Sequence, residues 1–117
     1  MDTATLGRTG LTVGRLGAGL ASIGGLSPGE TDKAARMLGA ALDAGINCFD
    51  TAEGYGNSEE LIGKTMAHRR DEIVLATKAG HASTGSSGRP WTGPTVTEGI
   101  ERSLTKLKTD HVDLGQL

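Results

Sequence analysis

Short apolar segments recur along the chain at the lengths and spacings of β-strands. Residues 46–49, 73–77 and 111–117 predict three strands, and residues 15–20 predict a shorter one before them. The segment at 73–77 is apolar almost throughout, which is typical of a parallel strand that is covered on both faces. Residues 6–13 have two apolar ends around a Gly-Arg-Thr-Gly turn and predict a hairpin.

Three segments between these strands carry apolar residues at helical spacing. The first is the best marked, because Pro28 suits a first helical position and Gly45 suits a left-handed C-terminal cap. The predicted capping pairs of the three helices are Ser27 with Glu30, Asn57 with Glu60, and Thr95 with Glu98. The element order is therefore hairpin, β, α, β, α, β, α, β, which predicts an α/β fold built from parallel βαβ units.

Composition excludes several classes of function. The chain has 117 residues, the size of one domain, with 12 basic and 14 acidic side chains and a net charge of −2. This balance gives no electrostatic reason to expect nucleic acid or membrane partners. The one cysteine, Cys48, excludes an internal disulfide and favours a reduced, cytoplasmic setting. Cys48 has no metal-ligand partners at a recognisable spacing, so we expect it to be an apolar core residue and expect no metal site.

Three polar residues follow successive predicted strands. Asp50 ends one strand, Tyr55 lies in the loop after it, and Lys78 ends the next strand. Sites in parallel α/β folds form at the carboxyl ends of strands, so all three should face one rim. A tyrosine hydroxyl has an unperturbed pKa of about 10, and a nearby ammonium favours its phenolate. Such a trio can protonate a carbonyl oxygen, although each residue taken singly is more often a turn, surface or packing residue.

Several motifs resemble those of the aldo-keto reductase family. Residues 45–56, Gly-Ile-Asn-Cys-Phe-Asp-Thr-Ala-Glu-Gly-Tyr-Gly, resemble the signature of that family, and residues 58–64 and 70–78 also match it. Residues 6–11 look like the hairpin that closes the bottom of the family's barrel. Residues 103–114 look like its third helix and fourth strand. The resemblance covers nearly the whole chain, with the motifs in the same order and at the same spacing.

The resemblance implies a fold and an activity. The fold would be the N-terminal half of a (β/α)₈ TIM barrel, about four βα units plus the bottom hairpin, with residues 1–117 ending at the fourth strand. The activity would be an NADPH-dependent reduction of small aldehydes or ketones to alcohols. Asp50, Tyr55 and Lys78 would be three members of the family's catalytic tetrad, with Tyr55 as the proton donor.

The resemblance also implies a cofactor contact. The family's backbone at Gly19, Leu20 and Ala21 lies beside the nicotinamide, and Asp50 would complete this contact. The glycines of this segment lack the third glycine of the dinucleotide fingerprint, so a flexible turn after the first strand is the favoured alternative.

The chain departs from the family at its last residues. The family's fourth strand ends in a run resembling Asp-Leu-Tyr-Gln-Leu-His, whose His is catalytic. Here residues 113–117 are Asp-Leu-Gly-Gln-Leu, with Gly115 in place of the usual Tyr, and the given sequence stops before the His. His81 is a weak substitute in the long loop after the third strand. Trp91 in the same loop has two equal interpretations, a wall of the substrate pocket or a packing residue. Two other functions stay open, a non-catalytic cofactor-binding regulatory subunit of the potassium-channel β type and a non-functional truncated product.

A polypeptide limited to residues 1–117 is expected to be inactive and to self-associate. Four strands leave two sheet edges unpaired and the inner face of a barrel uncovered, and most of the family's contacts to the adenosine and phosphates come from later elements. Sedimentation should show oligomers, and NADPH with an aldehyde should give no useful turnover. A compact monomer with a cooperative melt would contradict the expected association.

Overall fold

The computed structural model describes residues 1–81 and 88–117 and shows a hairpin followed by alternating strands and helices. The strands are β1 (Thr3–Thr5), β2 (Thr12–Gly14), β3 (Ala18–Gly19), β4 (Cys48–Asp50), β5 (Val74–Lys78) and β6 (Leu114–Gln116). The α-helices are α1 (Thr31–Asp43), α2 (Ser58–Met66) and α3 (Gly93–Leu107). Short 3₁₀ turns occupy Ser22–Gly25, Pro28–Glu30 and Ala67–Glu72. The element order predicted from the hydrophobic pattern is confirmed.

The strands β3 to β6 form one parallel sheet in chain order. Gly19 lies opposite Asp50, Asp50 lies opposite Ala76, and Lys78 lies opposite Gln116. The strand β5 is buried along nearly its whole length, as its apolar sequence predicted. Since neighbouring strands run in the same direction, their carboxyl ends meet at one rim of the sheet.

The predicted hairpin forms and is tied to the amino end of β4. Its strands β1 and β2 pair antiparallel and begin at Thr3, three residues before the predicted start. The turn uses left-handed backbone at Gly7 (φ 53°) and Gly10 (φ 77°), which glycine adopts without a steric cost. Asn47 accepts the Gly14 N–H at 2.8 Å and donates to the Thr12 carbonyl at 3.0 Å, so one amide holds the hairpin against the sheet.

The helix α1 has the caps that its sequence predicted. The Ser27 N–H donates to Glu30 Oε2 at 3.0 Å, which confirms the capping box at the 3₁₀ turn that leads into α1. Gly45 has a φ of 89°, and its N–H donates to the Leu42 carbonyl at 2.9 Å, so the predicted left-handed C-terminal cap is also confirmed.

The predicted capping pairs of the other two helices were wrong. Asn57 does precede α2, but its side-chain amide donates to the Leu26 carbonyl at 3.1 Å instead of accepting a helix N–H. The helix α3 begins at Gly93, so Thr95 lies inside it and donates to the Arg89 carbonyl at 2.6 Å. In both cases a loop carbonyl competes for the polar side chain, and sequence spacing does not reveal that competitor.

Two strands are shorter than predicted. The strand β3 has two residues in place of the predicted 15–20, and β6 has three in place of 111–117. At the predicted starts of both strands, backbone groups form hydrogen bonds outside the parallel sheet. The Arg15 N–H donates to the Asp2 carbonyl at 3.0 Å, and the His111 carbonyl accepts Arg70 Nη2 at 3.1 Å.

The hydrophobic core lies between the sheet and the helices. Its largest apolar members are Leu38, Phe49, Leu61, Leu75 and Leu107, each at most 2% exposed. The adjacent Cys48 is only half-buried, so the expectation of a core cysteine holds in part. Within the described residues, no helix is both long enough and apolar enough to cross a membrane.

The contact between α2 and α3 depends on Gly63. A Cβ at this position would collide with the Lys106 carbonyl oxygen and would lie 2.8 Å from the Leu107 carbonyl carbon. We therefore expect Gly63→Ala to lower the free energy of unfolding by about 1–3 kcal/mol, measured by urea denaturation. Gly39→Ala is the matched control, because Gly39 lies in α1 with open space around it. That change should stabilise the helix by about 0.5–1 kcal/mol, and equal effects of the two substitutions would contradict the role of Gly63.

Candidate active site

An ion pair between Asp50 and Lys78 stands at the carboxyl rim of the sheet. Lys78 Nζ donates to Asp50 Oδ2 at 2.7 Å, to Oδ1 at 2.8 Å and to the Thr51 carbonyl at 3.0 Å. The Lys78 side chain is 33% exposed and the Asp50 side chain 41%. All three ammonium protons thus have acceptors, and the pair still faces solvent on one side.

Tyr55 lies beside this pair in the loop after β4. The Lys78 Nζ is 5.0 Å from the centroid of its ring. The loop is fixed by backbone contacts, because a Cβ at Gly24 would collide with the Tyr55 carbonyl oxygen, and the Asn57 N–H donates to the Gly24 carbonyl at 3.0 Å. The structure therefore brings together the trio expected at one rim, Asp50, Tyr55 and Lys78.

The ammonium of Lys78 is electrostatically stabilised. Burial lowers its pKa, but the hydrogen bonds and charge of Asp50, with a further contribution from Tyr55, outweigh burial and raise the pKa above the usual 10.5. Lys78 is therefore charged throughout the physiological range and can act as a fixed cation.

An apolar cleft of about 380 Å³ opens in front of Tyr55 and Lys78. Its lining includes Tyr55, Lys78, His81, Trp91 and Leu117. Trp91 has left-handed backbone (φ 64°), and its ring meets the His81 ring edge-on at 5.2 Å between centroids. Trp91 thus lines the cleft and also packs on His81, so it has features of both a pocket wall and a packing residue.

The segment predicted to face a cofactor lies beside Asp50. Gly19 pairs with Asp50 in the sheet, is exposed, and has open space where a Cβ would stand. Leu20 behaves differently, since its side chain is 5% exposed in the core and its N–H donates to the Asp50 carbonyl at 2.9 Å. Ala21 is exposed. The open surface of this segment is therefore formed by Gly19 and Ala21.

The other candidate groups lie apart from the trio or have no chemical partner there. His111 precedes β6, at the opposite rim, and its Nδ1 contacts Asp110 Oδ1 at 2.6 Å. His68 belongs to the 3₁₀ turn after α2. Burial, and then the charge of Asp50, raises the pKa of the Cys48 thiol, which keeps it protonated. In the described ranges no group of three or more His, Cys, Asp or Glu side chains is arranged to hold a metal ion.

Two polar residues near the trio were missed by the sequence reasoning. Gln116 Nε2 donates to Asp50 Oδ1 at 2.8 Å from β6. Glu59 is 1% exposed behind β5, and its Oε1 accepts Thr77 Oγ1 at 2.7 Å. Gln116 lies level with Lys78 only through the register of β6 on β5, which the sequence does not reveal. The helical spacing of Glu59 likewise gave no sign of its burial.

Comparisons with known proteins point to one family. The model of the aldo/keto reductase family matches residues 15–117. The uncharacterized oxidoreductase YqkF of Bacillus subtilis is 41% identical over 122 residues, covering 100% of this chain and 39% of that protein. A probable voltage-gated potassium channel subunit beta of Oryza sativa is 34% identical, covering 97% of this chain and 36% of its own length. The chain thus spans about two fifths of the length of these curated relatives.

Solved structures give the same family fold. The holo form of the aldo-keto reductase AKR11C1 from Bacillus halodurans superposes with a TM-score of 0.84 at 36% identity, covering 100% of this chain and 40% of that one. An aldo-keto reductase from Klebsiella pneumoniae in complex with NADPH has a TM-score of 0.73 at 27% identity, covering 91% and 35%. The described elements are therefore the bottom hairpin and the first four parallel strands of a (β/α)₈ barrel.

Asp50→Asn is expected to lower the pKa of Lys78. The substitution removes the negative charge that outweighs burial. Because the folded pKa is raised, the stabilisation from the pair is complete below about pH 10.4 and is lost as the pH rises through the folded pKa. A ¹³C NMR titration of the lysine Cε, assigned with Lys78→Met, measures the shift. Asp43→Asn, which removes one of the two acidic partners of Arg69 before β4, should leave the Lys78 pKa unchanged. An unchanged pKa in Asp50→Asn would contradict the stabilisation.

Proposed function

The chain belongs to the aldo/keto reductase family of oxidoreductases, and we propose that it carries the proton-donating residues for an NADPH-dependent reduction of aldehydes or ketones to alcohols. One observation supports this most directly. Lys78, held by Asp50 at 2.7 Å, stands 5.0 Å from the ring centroid of Tyr55 at the mouth of an apolar cleft. This arrangement suits protonation of a carbonyl oxygen bound in the cleft.

The three residues have different roles in this proposal. Tyr55 donates the proton to the carbonyl oxygen as that oxygen gains negative charge. The ammonium of Lys78 favours the phenolate that Tyr55 leaves behind and so stabilises charge in the transition state. Asp50 keeps Lys78 charged and oriented, and it does not itself transfer the proton.

The residues beside Asp50 fit a nicotinamide cofactor. A bound NADPH supplies the hydride that reduces the carbonyl carbon. Gly19 leaves its backbone open next to Asp50, where a side chain would occupy the approach. The predicted contact was with Gly19, Leu20, Ala21 and Asp50. We propose that Gly19, Ala21 and Asp50 present the open surface to the cofactor, while the buried Leu20 side chain packs beneath them. The NADPH complex of the Klebsiella pneumoniae relative supports this choice of cofactor.

The size and the apolar lining of the cleft suit a small carbonyl substrate. Its volume of about 380 Å³ lies within the range of small-molecule sites, and most of its lining is apolar. Trp91 and Leu117 form part of its wall, so we propose that they contact the substrate away from its carbonyl. That a polypeptide of residues 1–117 alone is inactive stays a prediction.

A regulatory function is the second candidate. The relative in Oryza sativa carries the name of a channel subunit and is 34% identical to this chain. A regulatory protein of this family would bind the cofactor without turning over a carbonyl. Binding and turnover therefore have to be measured separately.

Tyr55→Phe is expected to lower kcat by about 10²–10⁴-fold, because it removes the general acid and leaves the ring in place. The dissociation constant of NADPH should change less than twofold, measured by fluorescence titration of the protein that carries this chain. His111→Gln is the control at the opposite rim and should keep wild-type turnover.

The outcomes separate the two candidate functions. Turnover that survives Tyr55→Phe would show that another group donates the proton. Tight NADPH binding with no turnover of any aldehyde or ketone by the wild-type protein would favour the regulatory function instead.

A further inference from the structure

Gln116 reaches the carboxylate of the proposed active site from the strand β6. Its Nε2 donates to Asp50 Oδ1 at 2.8 Å, and the same oxygen accepts Lys78 Nζ at 2.8 Å. Asp50 Oδ2 accepts a second bond from Nζ at 2.7 Å. We propose that Gln116 is a positioning residue, which holds the Asp50 carboxylate so that Lys78 keeps its place beside Tyr55. This inference rests on the proposed reductase function.

The sheet register explains how Gln116 reaches Asp50. Lys78 lies opposite Gln116, whereas Asp50 lies opposite Ala76, one row nearer the amino ends of the strands. The Gln116 side chain therefore crosses β5 next to Lys78 to meet a carboxylate two strands away. Neighbouring strands are about 4.8 Å apart, so this contact needs a long side chain on one partner. The Gln116 backbone is itself fixed, because its carbonyl accepts the Ala79 N–H at 3.0 Å.

The exposure of the ion pair explains why a further hydrogen bond to Asp50 matters. With the Lys78 and Asp50 side chains 33% and 41% exposed, water competes for both charges. Two bonds from one ammonium allow the carboxylate and the lysine to move together. A donor on a third strand opposes that motion, and a bond to an ionised acceptor is stronger than one between neutral groups. Gln116 thus acts through Asp50 and needs no contact with substrate.

Two substitutions separate the length of the side chain from its chemistry. Gln116→Asn keeps the amide but is one methylene shorter, so it should lose the bond. We expect kcat to fall about tenfold, because misplacement of a catalytic group affects the chemical step. The NADPH dissociation constant and KM should stay within twofold of their wild-type values. Gln116→Glu keeps the length, replaces the donor by a carboxylate, and should lower kcat to a similar extent.

The two variants should shift the pKa of Lys78 in opposite directions. Among the described residues, the titratable groups around its ammonium are Asp50 and Tyr55, and His81 and Glu53 line the same cleft, with Glu53 bonded to Arg102. Gln116→Asn frees Asp50 to turn towards water, so the pKa of Lys78 should fall. Gln116→Glu adds a negative charge, so the pKa of Lys78 should rise.

The experiment measures turnover and the NMR titration of Lys78 Cε on the protein that carries this chain. Asn47→Asp is the matched control, since it removes an amide donor at the opposite rim. It should leave kcat and the Lys78 pKa at their wild-type values. Wild-type protein without turnover would overturn the proposed reductase function, while the NMR titration would still decide the role of Gln116. An unchanged Lys78 pKa in both Gln116 variants, or a kcat loss matched by Asn47→Asp, would overturn the positioning role.

Discussion

Parallel pairing of β4 with β5 is the constraint on which the proposed site depends. The pairing aligns Asp50 with Ala76, so that Lys78, two residues further along β5, points to the same side of the sheet and rises just above the carboxylate. A shift of one residue would turn Lys78 towards the helices and place a charge in the core. The cost of burying that ammonium away from Asp50 opposes the shift, because the β5 residues before Lys78 are buried on both faces. The polar residue at the end of the strand thus fixes the register, and the register aligns the ion pair.

The hydrophobic pattern predicted the elements and the trio, but not the contacts that refine them. Asp50, Tyr55 and Lys78 were predictable because strand ends are visible in the sequence and parallel topology puts them at one rim. Gln116 was not, because its bond to Asp50 depends on the register of a third strand, and that strand is shorter than its sequence suggested. The prediction that Asn57 caps α2 was wrong for a related reason, since the acceptor that its side chain uses instead, the Leu26 carbonyl, is 31 residues away in the sequence.

Close backbone approach explains a further part of the site that pattern alone does not reveal. Tyr55 keeps its place because the loop that carries it rests directly on Gly24, where any side chain would strike the Tyr55 carbonyl. Gly56 follows with a φ of 51°, a conformation that glycine adopts readily. The abundance of glycine predicted tight turns, and the structure shows that one of these turns supports a proposed catalytic side chain. The glycine content predicted that tight turns would occur, but only the fold shows that one of them lies beside Tyr55.

The two rims of the sheet show how charges serve structure at one end and chemistry at the other. At the amino rim, Arg70 donates to Asp113 Oδ2 at 2.8 Å, and the same oxygen accepts the Leu75 N–H at 2.7 Å. These two side chains are only 13% and 15% exposed, so the network is closed and its polar groups are used in holding β5 to the segment before β6. At the carboxyl rim, the Lys78–Asp50 pair has similar bond lengths but more than twice that exposure. A half-open pair of this kind contributes at most about 1 kcal/mol to stability. The pair holds a positive charge 5.0 Å from the centroid of the Tyr55 ring, which is what the proposed proton transfer from Tyr55 requires.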